Sequence, residues 1–132
     1  MAGDGGAGAG AVIWVLWLVF LPLISGSSAA PAVVIGELRC ESRDEVVEIR
    51  NAGGAVSLAG WRLVSVVGWQ EYEFGDVTLA PGASVFVHSG PDAPAPTERD
   101  RLWSLSYVWN NEGDEARLMD ASGGLVSEAI CP

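Results

Sequence analysis

Short extended runs, each closed by a turn-forming cluster, follow one another about every ten residues from Val33 to Cys131, and none of them carries an apolar pattern of helical period. Such a chain can bury its apolar faces only by stacking sheets. The spacing therefore favours an all-β, antiparallel sandwich over any α/β architecture.

Val33–Arg39 and Glu45–Asn51 read as the first two strands, and in the second Val47 and Ile49 share the face opposite Val46, Glu48 and Arg50. Ala52-Gly53-Gly54-Ala55 turns the chain into residues 56–58. Gly60 permits a bend before Trp61, whose indole is expected to plug the middle of the sandwich beside Leu63. Residues 63–67 and 69–74 read as strands separated at Gly68, and residues 77–79 as a further short run. In Ala80-Pro81-Gly82-Ala83, proline in the second position and glycine in the third fit a type II turn leading into Ser84–Ser89. Residues 90–100 hold Pro91, Pro94 and Pro96 without apolar periodicity, which predicts a surface loop with extended polyproline character. Residues 115–120 and 125–131 read as the last hairpin, closed by Asp120-Ala121-Ser122-Gly123.

Taken in order, Glu48 to Asn51, Leu58 with Gly60-Trp61, Leu79 to Gly82, and Gly113-Asp114 followed by Leu118 and Gly123 resemble the lamin tail domain pattern over about Val33 to Ile130. The resemblance implies an immunoglobulin-like β-sandwich without catalysis of its own. It further implies contacts with proteins or chromatin in animals, and an extracellular or envelope-associated module, often attached to hydrolases, in bacteria. Here the acidic balance lacks the basic surface that chromatin contact wants.

Residues 11–24 are apolar and uncharged and are followed by Ser25-Gly26-Ser27-Ser28-Ala29-Ala30, the layout of a signal peptide. About 14 apolar residues fall short of the roughly 20 that span a bilayer as a helix. Residues 1–32 are thus expected to be a signal peptide ahead of a domain at 33–132, with an uncleaved membrane anchor as the alternative. The segment departs from the usual pattern in carrying Asp4 and no Lys or Arg at its start. Secretion or residence in the cell envelope follows, and contact with a membrane only through that segment.

The two cysteines, Cys40 and Cys131, end the first and last expected strands. An even count in an exported chain suggests one disulfide, which parallel neighbouring edge strands would bring together. Two unpaired buried thiols remain the alternative.

Charge restricts partners further, since all seven cations are Arg, dispersed among 17 acids, for a net charge of −10. Nucleic-acid affinity comes largely from Lys and Arg neutralising phosphates, so nucleic acid is disfavoured as a partner. A protein or cell-surface partner is expected instead, and no cofactor is implied.

Trp103, Leu105, Tyr107 and Trp109 recur at every second residue and read as one face of a strand. Buried, they complete the core; exposed, Trp103, Tyr107 and Trp109 would form a platform for a glycan or a protein. A carbohydrate-binding module is therefore the alternative to a protein-binding one. Asn110, Asn111, Glu112, Asp114 and Glu115 crowd oxygen donors into one turn, of which Asn111, Glu112 and Asp114 are the calcium candidates, although the spacing is not that of an EF-hand loop. A hydrolytic triad would have to be built on the single histidine, His88, which reads as a partly exposed strand residue. The expectation is a non-enzyme.

Overall fold

The computed structural model describes residues 32–132. The leader expected over residues 1–32 lies, apart from Ala32, outside the described residues. Ten strands follow in order: β1 (Val33–Arg39), β2 (Glu45–Asn51), β3 (Val56–Ser57), β4 (Arg62–Ser65), β5 (Gln70–Glu73), β6 (Thr78–Leu79), β7 (Ser84–Ser89), β8 (Asp100–Ser104), β9 (Glu115–Met119) and β10 (Leu125–Ile130).

They form one sheet of order β1-β2-β7-β8, a second of order β10-β9-β4-β5, and a two-stranded ribbon β3-β6. This is an immunoglobulin-like sandwich. Val47 and Ile49 on β2 and Val85 and Val87 on β7 meet Leu63, Ala116 and Leu118 of the other sheet, all essentially without exposure. Side-chain alternation along each strand delivers these residues to one face. Each of the Val, Ile and Leu side chains among them contributes about 1.5–3 kcal/mol relative to exposure.

One pair departs from the antiparallel expectation: β8 runs parallel to β7, with Phe86 opposite Asp100 and Val87 opposite Arg101. The proline-bearing loop supplies the crossover. Ten residues in extended form reach roughly 30 Å, more than the roughly 20 Å length of a six-residue strand. Asn51, fully buried, pins the ribbon by donating from Nδ2 to the carbonyls of Gly54 at 2.9 Å and Leu79 at 3.0 Å. The turn after β6 closes as expected, with Gly82 at φ 81° and Ala83 N–H donating to Ala80 O at 3.0 Å.

Two expectations about tryptophan are corrected. Trp61 is half-buried at the core margin and does not fill its middle; Trp109 is the buried indole, 3% exposed. The row expected to run through to Trp109 stops being a strand at Ser104. Beyond it the backbone is drawn off by partners distant in sequence.

At one side of the sandwich β1 and β10 lie together, with Ile35 N–H donating to Ser127 Oγ at 3.0 Å. Cys40 and Cys131, just past these two strands, form a disulfide with their Cα atoms 5.9 Å apart. The staple joins the edge of one sheet to the edge of the other.

Candidate functional site

Glu45 opens β2 on the same face as Val47 and Ile49, so strand alternation sends a carboxylate into the interior, where it is fully buried. Three donors surround it: Ser89 Oγ at 2.7 Å, Val108 N–H at 2.8 Å and Trp109 N–H at 3.3 Å. These bonds pull the chain after β8 away from the sheet. Gly90 N–H adds bonds to the carbonyls of Ser104 at 3.1 Å and Ser106 at 3.0 Å. Gly90 itself sits at φ 103° with its Cα so near Arg43 O that a Cβ would fall 2.4 Å from that oxygen, a position only glycine fills.

Asp114 anchors the other side of the same end. Fully buried, it accepts from the Ser65 hydroxyl and from the N–H groups of Val67 at 3.0 Å, Asn110 at 3.1 Å and Glu115 at 2.7 Å. Burial pushes its pKa up, but these four donors pull it down further, and the carboxyl ends below its ordinary value. Cys131 N–H donates to Asp114 O at 2.9 Å, so the network reaches the disulfide.

Between these anchors lies a groove of about 510 Å³ lined by Glu41, Ser42, Arg43, Tyr107, Trp109, Asn110, Asn111 and Glu112. Arg43 grips Asp92 with both arms of its guanidinium, at 2.8 and 3.1 Å. Of the six large apolar residues left exposed among the described residues, five belong to this end: Val67, Trp69, Leu105, Tyr107 and Ile130, the last directly before Cys131 and opposite Glu115. Trp69 is 60% exposed at φ 47°, a left-handed conformation that costs a side-chain-bearing residue about 1–2 kcal/mol. Its ring nitrogen donates to Glu71 at 3.1 Å.

The residues singled out from sequence fall unevenly. Tyr107 lines the groove and is exposed, whereas Trp109 is buried and Trp103 half-buried. Trp103 packs edge-on to Trp109 with ring centres 5.6 Å apart, and Tyr72 lies 6.0 Å from Trp103. Asn111 and Glu112 also line the groove, but Asp114 lies beneath it with both oxygens engaged, so the three do not converge. Among the described residues no group of three or more His, Cys, Asp or Glu is placed to hold a metal ion. Glu45 escaped the sequence reading, although its parity with Val47 and Ile49 was the available signal.

His88 is only 7% exposed, a correction to the partly exposed residue expected. Its Nδ1 meets Asp44 at 2.8 Å and its Nε2 meets Asp100 at 2.9 Å, while Thr97 Oγ1 donates to Asp100 at 2.8 Å. Both ring nitrogens are thereby engaged, leaving neither to activate a nucleophile. Burial lowers the imidazole pKa, but hydrogen bonds and charge from Asp44 and Asp100 raise it more, so the net shift is upward. Asp100 is held below the ordinary carboxylate value by His88 and Thr97.

The raised His88 pKa stabilises the fold fully below about pH 6.5, the unfolded value, and that contribution disappears as pH rises through the folded one. The lowered Asp100 pKa contributes above about pH 4 and is lost as pH falls through its folded value. Urea unfolding is therefore expected to give a stability maximum between about pH 4 and 6.5, and His88→Gln should flatten the alkaline limb. An unchanged alkaline limb in the variant would refute the assignment.

A family model described as Lamin Tail Domain matches residues 26–129, a span that includes Cys40, both buried carboxylates and every strand from β1 to β9. No curated protein matches the chain.

Proposed function

The chain belongs to the lamin tail domain family, and from that premise we propose that it is a non-catalytic binding module of the cell exterior or envelope, docking a protein partner through the disulfide end of the sandwich. The observation that carries the reading is the exposure of Val67, Trp69, Leu105, Tyr107 and Ile130, all at that end. Exposed Trp and Tyr on a rigid frame are the residues that most often dominate protein interfaces.

Export is supported by the apolar, uncharged residues 11–24 and by the disulfide, a bond that persists in oxidising compartments. The absence of catalysis is supported by the two carboxylates that engage His88. The net charge of −10 argues for a protein surface over a nucleic acid. The same field keeps anionic lipid headgroups away, so a membrane is met only through residues 1–32 if these are retained. Of the three-ring row that a glycan platform would need, only Tyr107 is exposed, beside Asn111 and Glu112. A protein contact uses all five exposed apolar side chains.

Co-sedimentation of the purified, oxidised full chain with envelopes from its source cell tests the reading, at low and high salt and with and without calcium. Binding should survive high salt, because apolar burial is not screened. Trp69→Ser combined with Tyr107→Ser should weaken it by at least about 2 kcal/mol, roughly thirty-fold. A chain that stays in the supernatant, or a double variant that sediments like the parent, would overturn the proposal.

A further inference from the structure

The seven arginines are not used alike. Arg39, Arg43, Arg62 and Arg117 each pair with a carboxylate. Among the described residues Arg50, Arg99 and Arg101 make no ion pair, and two of these three line one groove of about 520 Å³. That groove is formed by the turn before β7 and the start of β8, at the end of β7 remote from Ser89 and the disulfide.

Arg101 is held there by its strand. The parallel register sets it opposite Val87, a core residue, and two positions before Trp103, so its stem starts between the sheets. Its Nε is shielded from solvent and has no hydrogen-bond partner. Only one other shielded side-chain donor among the described residues, Trp109 Nε1, is left in that state. A guanidinium partly withdrawn from water with no carboxylate in ion-pair contact gains more from an incoming anion than an exposed one, because the surrounding dielectric is lower. Its planar fork matches a carboxylate in two-point contact.

The remaining lining residues limit the class of anion. Asp76 and Glu98 also face the groove, and Leu79 and Val85 give it apolar wall. These two acids repel a dense polyanion while leaving room for one negative charge carried on a largely apolar or neutral stem.

We propose that this groove binds a single carboxylate presented by a polypeptide, either an Asp or Glu side chain or a chain end, with Arg101 as the primary contact and Arg99 as the second. The site is separate from the apolar surface at the disulfide end and does not depend on it. It gives an acidic module a way to hold an acidic partner segment.

The test follows the seven arginine Nε–Hε resonances of the ¹⁵N-labelled, oxidised full chain during titration with the acetylated, amidated peptide Gly-Glu-Gly. The Arg101 signal and the amides of residues 83–85 should move saturably, and those of Arg39, Arg43, Arg62 and Arg117 should not. The same peptide with Gln in place of Glu should produce no saturating shift. Arg101→Gln should abolish binding, and Arg99→Gln, at an exposed position that leaves the thermal midpoint in place, should weaken it about tenfold. Equal response to the Gln peptide, shifts spread over all seven arginines, or an Arg99→Gln protein that binds like the parent would overturn the proposal. Tighter saturation by inorganic phosphate than by the Glu peptide would also overturn it. A free α-carboxylate peptide, acetyl-Gly-Gly, separates the chain-end source from the side-chain one by which of the two probes binds more tightly.

Discussion

Reducing the Cys40–Cys131 disulfide, or replacing both cysteines by serine, is expected to lower the unfolding free energy by about 4 kcal/mol and the thermal midpoint by roughly 20 °C. The bond closes a loop of sequence separation 91, nearly the whole sandwich. In the chain-entropy account a loop of that size removes about 4 to 5 kcal/mol of denatured-state freedom, and structure persisting in the reduced denatured chain trims the figure. Because domains of this size are held by only about 5–15 kcal/mol, the reduced protein should lie near the limit of stability. Ser127 Oγ, bonded to Ile35 N–H, would remain as a direct contact between the stapled edges. Urea unfolding of the oxidised and reduced protein at one pH measures the difference. A loss under about 1 kcal/mol would show that the stapled edges hold each other without the sulfur bridge.

Glu45→Ala is expected to cost about 3 kcal/mol, an effect much larger than that of removing a surface acid. The carboxylate is the common acceptor for Ser89 Oγ, Val108 N–H and Trp109 N–H, and its removal leaves three buried donors without a partner. Glu45→Gln is the informative companion. It keeps the volume and one acceptor oxygen but turns an NH₂ group toward backbone donors, so it should fall between the parent and Glu45→Ala, at about 2 kcal/mol. Both variants should also raise hydrogen exchange at Val108 and Trp109 ahead of global unfolding, since those amides lose their acceptor. The same loosening reaches Leu105 and Tyr107 and should weaken docking at that end. Exchange that stays at parental rates would refute the anchoring role.

The strands that were legible in the sequence are those whose alternation and turns are local. β1, β2 and β7 have the bounds that their own residues suggest, and the Pro81-Gly82 turn closes as its composition dictates. What escaped depends on partners far along the chain. The two-residue spacing of Trp103, Leu105, Tyr107 and Trp109 reads as one strand because nothing local reveals that Glu45 will take the Val108 and Trp109 amides. The parallel β7–β8 pair was hidden for a related reason: its crossover is a proline-rich loop, not a helix.

The proposed docking end was legible in part. Tyr107, Asn111 and Glu112 do line a groove, but Trp103 and Trp109 turn toward the core and Asp114 is spent on the fold. Trp69 was read as the start of a strand, whereas its left-handed backbone makes it part of an exposed turn. Aromatic spacing alone does not distinguish a ring on a platform from a ring in a core. Burial does, and burial follows from the long-range carboxylate bonds.

The position of the disulfide also determines how the domain bears load. Tension applied to the backbone ahead of Cys40 and beyond Cys131 passes straight across the sulfur bridge, bypassing the hydrogen-bonded sheets between them. Among the described strands only β1, seven residues long, lies outside the bridged loop and can be peeled away, roughly 25 Å of slack. With the bridge open, the intervening chain could lengthen by roughly 300 Å. In its oxidised form the sandwich is therefore a nearly inextensible link, and its redox state sets the distance over which it can hold whatever is attached at either end.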